Sequence, residues 1–410
     1  MRPGSERARA RSTTSEWTET ASGETAGPLE RARALGPLLE DLSERTEQER
    51  RLPEPVQRAL FDASLFRLLL PRFLEGGEVD PLTFVQVIEE IARHDASAAW
   101  CLCQAAGCSM TAAYLPPEAA RQIFGPPRSV LAWGPSNDAK AVVVDGGYRI
   151  NGTWSFASGC HHATWLGGYC PIQEPDGKPR RRPDGSADGR TMLFPAGQAT
   201  IVDVWHVTGL RGTGSDAFTV TDLLVPHAHS VSRDDPAERR HSGPLYCFPS
   251  GSLYASGFSG VAMGLARSSL DAFIELARDK EPRSSKRLVR DSALIQFQVA
   301  EAEAKLGAAR VYLHDTLGRI WAEVSRSGLP LSMEQRVAIR LASTYGIHQA
   351  KQVVDTVHHA AGSSAIFTSS AFERRFRDLH TVTQQLQGRQ AHLETVGRYL
   401  LGLEPDQTFL

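Results

Sequence analysis

Residues 148–160 read YRINGTWSFASGC. Alternation at the start marks a β-strand, and Asn151-Gly152 marks a tight turn. Large rings and small polar residues then mix. A plain core strand is more aliphatic, and a surface strand does not carry both Trp154 and Phe156. Neither kind of strand explains why these rings sit beside Ser155 and Ser158, or why the chain breaks at Gly159. Trp154 has two readings, a core ring or a ligand contact, and the core reading is the commoner one for a strand tryptophan.

Around this stretch, from about 130 to 235, the apolar period is two. AKAVVVDGGYRING (139–152) reads as a hairpin turning at Asp145-Gly146. TWLGGYCPI (164–172), RTMLFPA (190–196), ATIVDVWHV (199–207) and AFTVTDLLVP (217–226) read as further strands. Short strands at this spacing suggest a compact barrel or sandwich.

On both sides the period is helical. PLTFVQVIEEIARHD (81–95) places Phe84, Val87, Ile88 and Ile91 on one face. SAAWCLCQAAGCSMTAAYL (97–115) is apolar nearly all round and reads as a buried helix. Pro53 is expected to open a helix over EPVQRALFDASLF (54–66). Ile295, Val299, Ala302, Leu306, Ala309 and Leu313 alternate gaps of four and three, a sustained bundle seam. A second long helix over 333–361 ends at Gly362. The expected organisation is α+β. A disordered tail (1–27) precedes an N-terminal helical domain (28–129), a small central β-barrel (130–236) and a C-terminal four-helix bundle (237–410).

The formal charge of −2 over 410 residues disfavours nucleic acid as the main partner. Arg180-Arg181-Arg182 lies in a turn-rich stretch and reads as a solvated loop. No apolar run approaches membrane-spanning length, and the N-terminus lacks the apolar middle of a signal peptide. The six cysteines lack zinc-site spacing and are expected as buried reduced thiols, with no metal, in a cytoplasmic protein.

A second motif is WHVTGLRGTGSDAFTVTDLLVP (205–226). Gly209, Gly212 and Gly214 are not a dinucleotide fingerprint, because a strand follows them where that motif needs a helix. Two readings stand: a decorated hairpin, or a turn that lets backbone approach a flat ligand.

Taken together, GYRINGTWSFASG, WHVTGLRGTGS, AAGSSAIF with FRDLHT, and ETVGRYLLGLEPD resemble the acyl-CoA dehydrogenase superfamily. More narrowly they are similar to its flavin-dependent monooxygenase branch, the oxygenase components of two-component hydroxylases. The resemblance spans about 30 to 405. It implies that Phe156 and Ala157 flank the flavin ring. Ser158 then meets the N5/C4a edge by hydroxyl or backbone, and Trp205 and Arg211 lie near the other edge. It implies that Ser363 and Ser364 cradle the flavin phosphate, with reduced FMN or FAD as cofactor. A flavin reductase would supply that cofactor, O2 would be the oxidant through a C4a-hydroperoxyflavin, and a homotetramer, or at least a dimer, would be the assembly. Arg211 has an equal reading as a purely structural residue.

A dehydrogenase of this superfamily needs a carboxylate to take the α-proton of a thioester. Beyond Arg377-Asp378, the chain offers Gln385, Leu386 and Gln387, and no Asp or Glu before Glu394. HSGPLYCFPSGSLYASGFSGVAMGLARSSL (241–270) has no carboxylate either. The acyl-CoA dehydrogenase reading is therefore disfavoured, and a non-catalytic relative is a third reading. The resemblance implies that His380 faces flavin and substrate as a proton-transfer group; a structural helix histidine is the competing reading. Where several phenol hydroxylases of the branch carry a substrate-contacting His, this chain has Cys108 or Ser109. A protonated thiol is a poor base for a phenol, so the small-molecule substrate is open among carbon, nitrogen and sulfur oxygenation. His161 and His162 read as loop histidines with a possible part in substrate contact.

Overall fold

A computed structural model describes residues 26–182, 185–233, 235–282, 287–407 and 410. Before the sheet run α1 (Pro28–Ala34), α2 (Gly36–Asp41), α3 (Ser43–Glu49), α4 (Glu54–Asp62), α5 (Pro81–His94), α6 (Ala96–Ser109) and α7 (Pro117–Phe124). Capping carboxylates start the two that matter most. Asp80 accepts from the Thr83 N–H at 2.9 Å and Asp95 from the Ala98 N–H at 2.7 Å. Each cap stabilises its helix by about 1 kcal/mol. Phe84, Val87, Ile88 and Ile91 of α5 are buried, as their spacing requires, and α6 is buried on nearly every side. Pro53 is the N-cap of α4. The tail expected over 1–27 lies outside the described residues up to residue 25. Gly27 caps α1 and receives the Glu30 carboxylate on its own N–H at 3.1 Å.

The strands are β1 (Leu131–Gly134), β2 (Lys140–Val144), β3 (Gly147–Trp154), β4 (Trp165–Gln173), β5 (Gly189–Pro195), β6 (Thr200–Val202), β7 (Ala217–Pro226) and β8 (Ser230–Val231). They pair in the order β6-β7-β3-β2-β4-β5-β8, with β1 alongside β4. Among the described residues this path is open at both ends. The β2–β3 hairpin turns at Asp145-Gly146, where Gly146 has φ +81°.

Two details of the expected strands differ. Asn151-Gly152 is not a turn: β3 runs through it, with a register shift against β7. Neither residue has the positive φ that a two-residue hairpin turn demands. Asn151 instead accepts from the Asp222 N–H across the irregularity. The strand expected over 199–207 stops at Val202. The Asp216 carboxylate captures the Val204 and Trp205 N–H groups, both at 2.8 Å, so neither is left for a sheet ladder.

Trp154 is a core ring. It is fully buried, stacks on Phe218 at 5.3 Å and donates its indole N–H to the Tyr169 carbonyl. Gly168 makes room for it; a Cβ there would lie 2.3 Å from the indole.

After the sheet come α8 (Ser250–Asp279), α9 (Ala293–Ser327), α10 (Met333–Ala361), α11 (Ala371–Gln384) and α12 (Ala391–Leu400). The seam read from sequence is the inner face of α9: Ala302, Leu306, Ala309 and Leu313 are buried. Gly362, at φ +57°, ends α10. α8 packs on α5, α6, α9, α10 and α11, so it joins the front helices to the rear ones. All six cysteines are buried and free. No helix among the described residues is long and apolar enough to cross a membrane.

Candidate active site

Past Trp154 the chain leaves the core abruptly. Phe156 adopts φ +56° and leaves 63 % of its surface exposed, with its ring edge-on to Trp205 at 6.0 Å. A left-handed conformation at a residue with a bulky side chain costs about 1–3 kcal/mol and persists only where neighbours enforce it. Here the neighbours are the 213–216 loop: the Ala157 N–H donates to the Asp216 carbonyl and the Gly159 N–H to the Thr213 carbonyl, both at 3.0 Å. The Ala157 methyl is buried in the sheet core, so only its backbone is available to a ligand. Gly159, at φ +79°, lets the chain turn away.

Ser158 is the hub. Its hydroxyl is 3.0 Å from the Trp100 indole nitrogen and 2.7 Å from the Ser215 hydroxyl. Ser215 in turn lies 2.7 Å from the Thr213 hydroxyl, which donates to the Leu210 carbonyl at 2.8 Å. Each hydroxyl has one proton, and an indole N–H and a carbonyl can play only one part each. The direction of the row therefore follows. Trp100 donates to Ser158, Ser158 to Ser215, Ser215 to Thr213, and Thr213 to Leu210. Ser158 has given its proton away and keeps one lone pair. Its own N–H is engaged by the Phe156 carbonyl at 2.9 Å.

The glycine-rich loop is occupied by the protein itself. A Cβ at Gly209 would meet the Arg377 carbonyl at 2.2 Å, and one at Gly212 would meet Thr46 at 2.2 Å. These two glycines admit helix packing rather than a ligand. Asp378, fully enclosed, accepts from the Leu210 N–H at 2.6 Å. Arg377 binds the Thr208 carbonyl, Glu47 and Glu373. The Arg-Asp pair is thus a clamp between α11 and the loop that carries Thr213 and Ser215. Trp205 donates its indole N–H to the Leu210 carbonyl, and Arg211 lies 3.7 Å from Glu47 with its Nε shielded and unpartnered.

Trp100 connects this hub to an aromatic wall. Its ring lies 4.1 Å from Phe258, and Phe258 stacks with Tyr254 at 6.0 Å. The Tyr254 hydroxyl is 3.5 Å from the Cys108 thiol. Burial pushes Cys108 up to about 12 and raises Tyr254 well above its ordinary value, so both stay protonated at neutral pH. Ser109 faces its own helix, donating to the Ala106 carbonyl at 2.7 Å. Of the two expected substrate contacts, only Cys108 belongs to the wall.

His161 binds Asp216 at 2.7 Å, which makes it a support of the loop. The His162 Nε2 is shielded and unpartnered, and burial pulls that imidazole down to about 4. His380 is bonded through Nε2 to Asp355 at 2.8 Å, and its ring lies 4.2 Å from Phe376. Within one chain its bonding partners among the described residues do not include the 155–158 segment. Ser363 is exposed; Ser364 accepts from the Lys280 ammonium at 2.9 Å.

Comparison with known proteins gives this arrangement a lineage. The family described as "Acyl-CoA dehydrogenase, C-terminal domain" matches residues 256–388. An indole-3-acetate monooxygenase of Pseudomonas putida is 30% identical over 388 residues, covering 91% of this chain and 96% of that protein. The flavin-dependent monooxygenase oxygenase subunit HsaA of Rhodococcus jostii is 29% identical over 365 residues, covering 86% of this chain and 92% of that protein. The crystal structure of the 3-HSA hydroxylase from Rhodococcus sp. RHA1 superposes with a TM-score of 0.84 at 27% identity, covering 93% of this chain and 99% of that one.

The chain belongs to the flavin-dependent monooxygenases with the acyl-CoA dehydrogenase fold.

Several relatives are named as oxygenase subunits or components, names that imply a separate flavin reductase in those systems. The monooxygenase lineage agrees with the missing base. Gln385 and Gln387 stand in its neighbourhood, and Gln387 is buried against Arg340. The α8 face next to Trp100 offers Tyr254 and Phe258 and no carboxylate. Sequence reading missed Trp100, Thr213 and Ser215. One signal was present: Trp100 is the single large ring in a stretch of small residues, which only a specific partner would explain.

Proposed function

We propose that this monooxygenase oxygenates a small aromatic or heteroatom-containing substrate, and that Ser158 sets its preference for reduced flavin. The observation that carries the reading is the direction of the hydroxyl row. Ser158 can accept from a ligand and cannot donate to one. That suits the N5–H of a reduced flavin and not the bare N5 of an oxidised one. The strained, exposed Phe156 and the shielded Arg211 Nε fit the same group: a flat ring covers the first, and a carbonyl oxygen satisfies the second.

Phe156, Trp205 and the Ala157 backbone would hold the ring, and Ser363 and Ser364, with Lys280 beneath, the phosphate of FMN or FAD. A reduced flavin bound there supplies the electrons that activate O2, one atom of which passes to the substrate. Trp100, Phe258 and Tyr254 keep water from the substrate side. His380 donates from Nε2 to Asp355, which leaves Nδ1 as the atom that accepts or returns a proton, and the Asp355 carboxylate stabilises the imidazolium in between.

The finer architecture goes with this reading. The sheet is taken as a small barrel and α8–α11 as a four-helix bundle, with the domain limits given above, in a cytoplasmic protein. Exposed Leu294 and Phe297 on α9, and Ile366 and Phe367 after α10, support a homotetramer built through the bundle.

The test is turnover under heavy-isotope O2 with reductase-generated reduced flavin and an aromatic substrate. Label in the product supports the reading. Dye reduction by an acyl-CoA without label incorporation overturns it. His380→Ala is expected to lower product formed per O2 consumed while raising released hydrogen peroxide, with the thermal midpoint unchanged. A turnover within about twofold of the parent, roughly 0.4 kcal/mol of barrier, makes His380 structural.

A further inference from the structure

We propose that Arg233 is the anchor for the carboxylate of an aromatic acid substrate, an inference that rests on the oxygenase reading above. Arg233 follows β8 and lays its guanidinium over the Trp133 ring, 4.0 Å from the centroid. Its terminal nitrogen Nη1 is shielded from solvent and has no hydrogen-bond partner. No ion pair to Arg233 exists among the described residues. Of the carboxylates that follow in the chain, Asp234 lies outside the described residues, Asp235 accepts from the Ala237 N–H, and Glu238 is spent on Arg190 and on the Ser232 N–H. A shielded guanidinium nitrogen without an acceptor is costly, and a ligand carboxylate is the group whose geometry matches it.

The position is right for a substrate. Trp133 lies on β1, and Gly134, which ends that strand, abuts the segment that presents Phe156: a Cβ there would lie 1.8 Å from the Ser155 carbonyl. The Cys108 thiol meets the Trp133 backbone, and the Arg233 charge acts on both Cys108 and Tyr254. Arg233 therefore closes the aromatic wall that begins at Ser158 and runs through Trp100 and Phe258. Cys108 and Tyr254 stay neutral, so nothing in that wall balances the arginine. A ligand with an apolar ring and an anionic arm would fill both needs: the ring on the wall, the carboxylate on Nη1.

The experiment is calorimetric titration of the full chain with indole-3-acetate and its uncharged counterpart indole-3-acetamide, for the parent, Arg233→Gln and Arg233→Lys. The parent is expected to bind the acid more tightly than the amide. Arg233→Gln should weaken the acid about tenfold to a hundredfold and leave the amide within about twofold. Arg233→Lys should recover part of the loss. Reduced FMN and reduced riboflavin are titrated in parallel. Equal affinity for acid and amide in the parent, or unchanged acid binding in Arg233→Gln, overturns the proposal. So does a loss of FMN binding that spares riboflavin, because Arg233 would then serve the flavin phosphate. Arginine-dependent acid binding without label incorporation from O2 would uphold the anchor and reject the oxygenase reading, so the two fail separately.

Discussion

Ser215→Ala will bind oxidised flavin about tenfold more tightly than the parent, with affinity for reduced flavin unchanged. In the parent the Ser158 proton is committed to Ser215, 2.7 Å away, because Ser215 has committed its own to Thr213. Removing the Ser215 hydroxyl releases the Ser158 proton, while the Trp100 N–H still occupies one lone pair. The freed hydroxyl can donate to the N5 lone pair of an oxidised ring. One new hydrogen bond of about 1 to 1.5 kcal/mol corresponds to roughly tenfold in affinity. The reduced ring loses nothing, since Ser158 still accepts. Equilibrium dialysis with oxidised FMN and FAD, and anaerobic titration with the reduced forms, measure the two affinities. An unchanged preference for the reduced form would remove the hydroxyl row from the account. The row also predicts the opposite change: Ser158→Ala should weaken reduced-flavin binding without raising the oxidised affinity.

The second large effect is expected at the clamp. Burial pushes the Asp378 carboxyl up to about 7, with the nearby Glu47 and Asp95 charges adding to the shift and Arg374 opposing it. A carboxyl raised from its ordinary value of 3.8 favours the protonated, folded form. Its contribution to stability is complete below about pH 4 and is lost as the pH rises through about 7. A shift of that size corresponds to about 4 kcal/mol as an upper bound. Asp378→Asn keeps an oxygen for the Leu210 N–H and has no charge to bury. It should match the parent near pH 4, exceed it at pH 8, and show a flatter dependence between. Asp378→Ala leaves the Leu210 N–H unpaired and should be less stable than Asp378→Asn by about 1–3 kcal/mol at every pH. Denaturation midpoints at pH 5 and pH 8 decide the matter. A parent-like slope in Asp378→Asn would show that this carboxyl is not the titrating group.

Particular residues mark where the sequence was legible. The α5 and α9 faces were read correctly because helical period is a local property, visible within a dozen residues. The same holds for the Asp145-Gly146 turn and for Trp154 as a core ring. The Asn151-Gly152 pair misled because its turn chemistry was overridden by pairing with β7, more than 65 positions away. Gly209 and Gly212 left two readings open in the sequence. Their need for space was real, but helix backbone and side chains fill that space, not a ligand. Arg377-Asp378 was recognised as a marker of the superfamily, while its work as a clamp on the 205–216 loop was invisible without the contact between α11 and Leu210.

By itself the sequence determined the order of elements and the chemistry the chain does not possess. Periodicity dictated helices, then strands, then helices, and the absence of Asp and Glu at 379–393 and 241–270 removed the base of a dehydrogenase. Only the tertiary structure decided what Ser158 can do. A hydroxyl is donor or acceptor according to its partners, and those partners, Trp100 and Ser215, lie 58 and 57 positions away. The same is true of Arg233, whose unpaired nitrogen would serve as a binding group because folding sets it over Trp133 while Glu238 is held by Arg190 and the Ser232 N–H. Local pattern settles backbone shape; the direction of a proton and the lack of a counter-charge are properties of space.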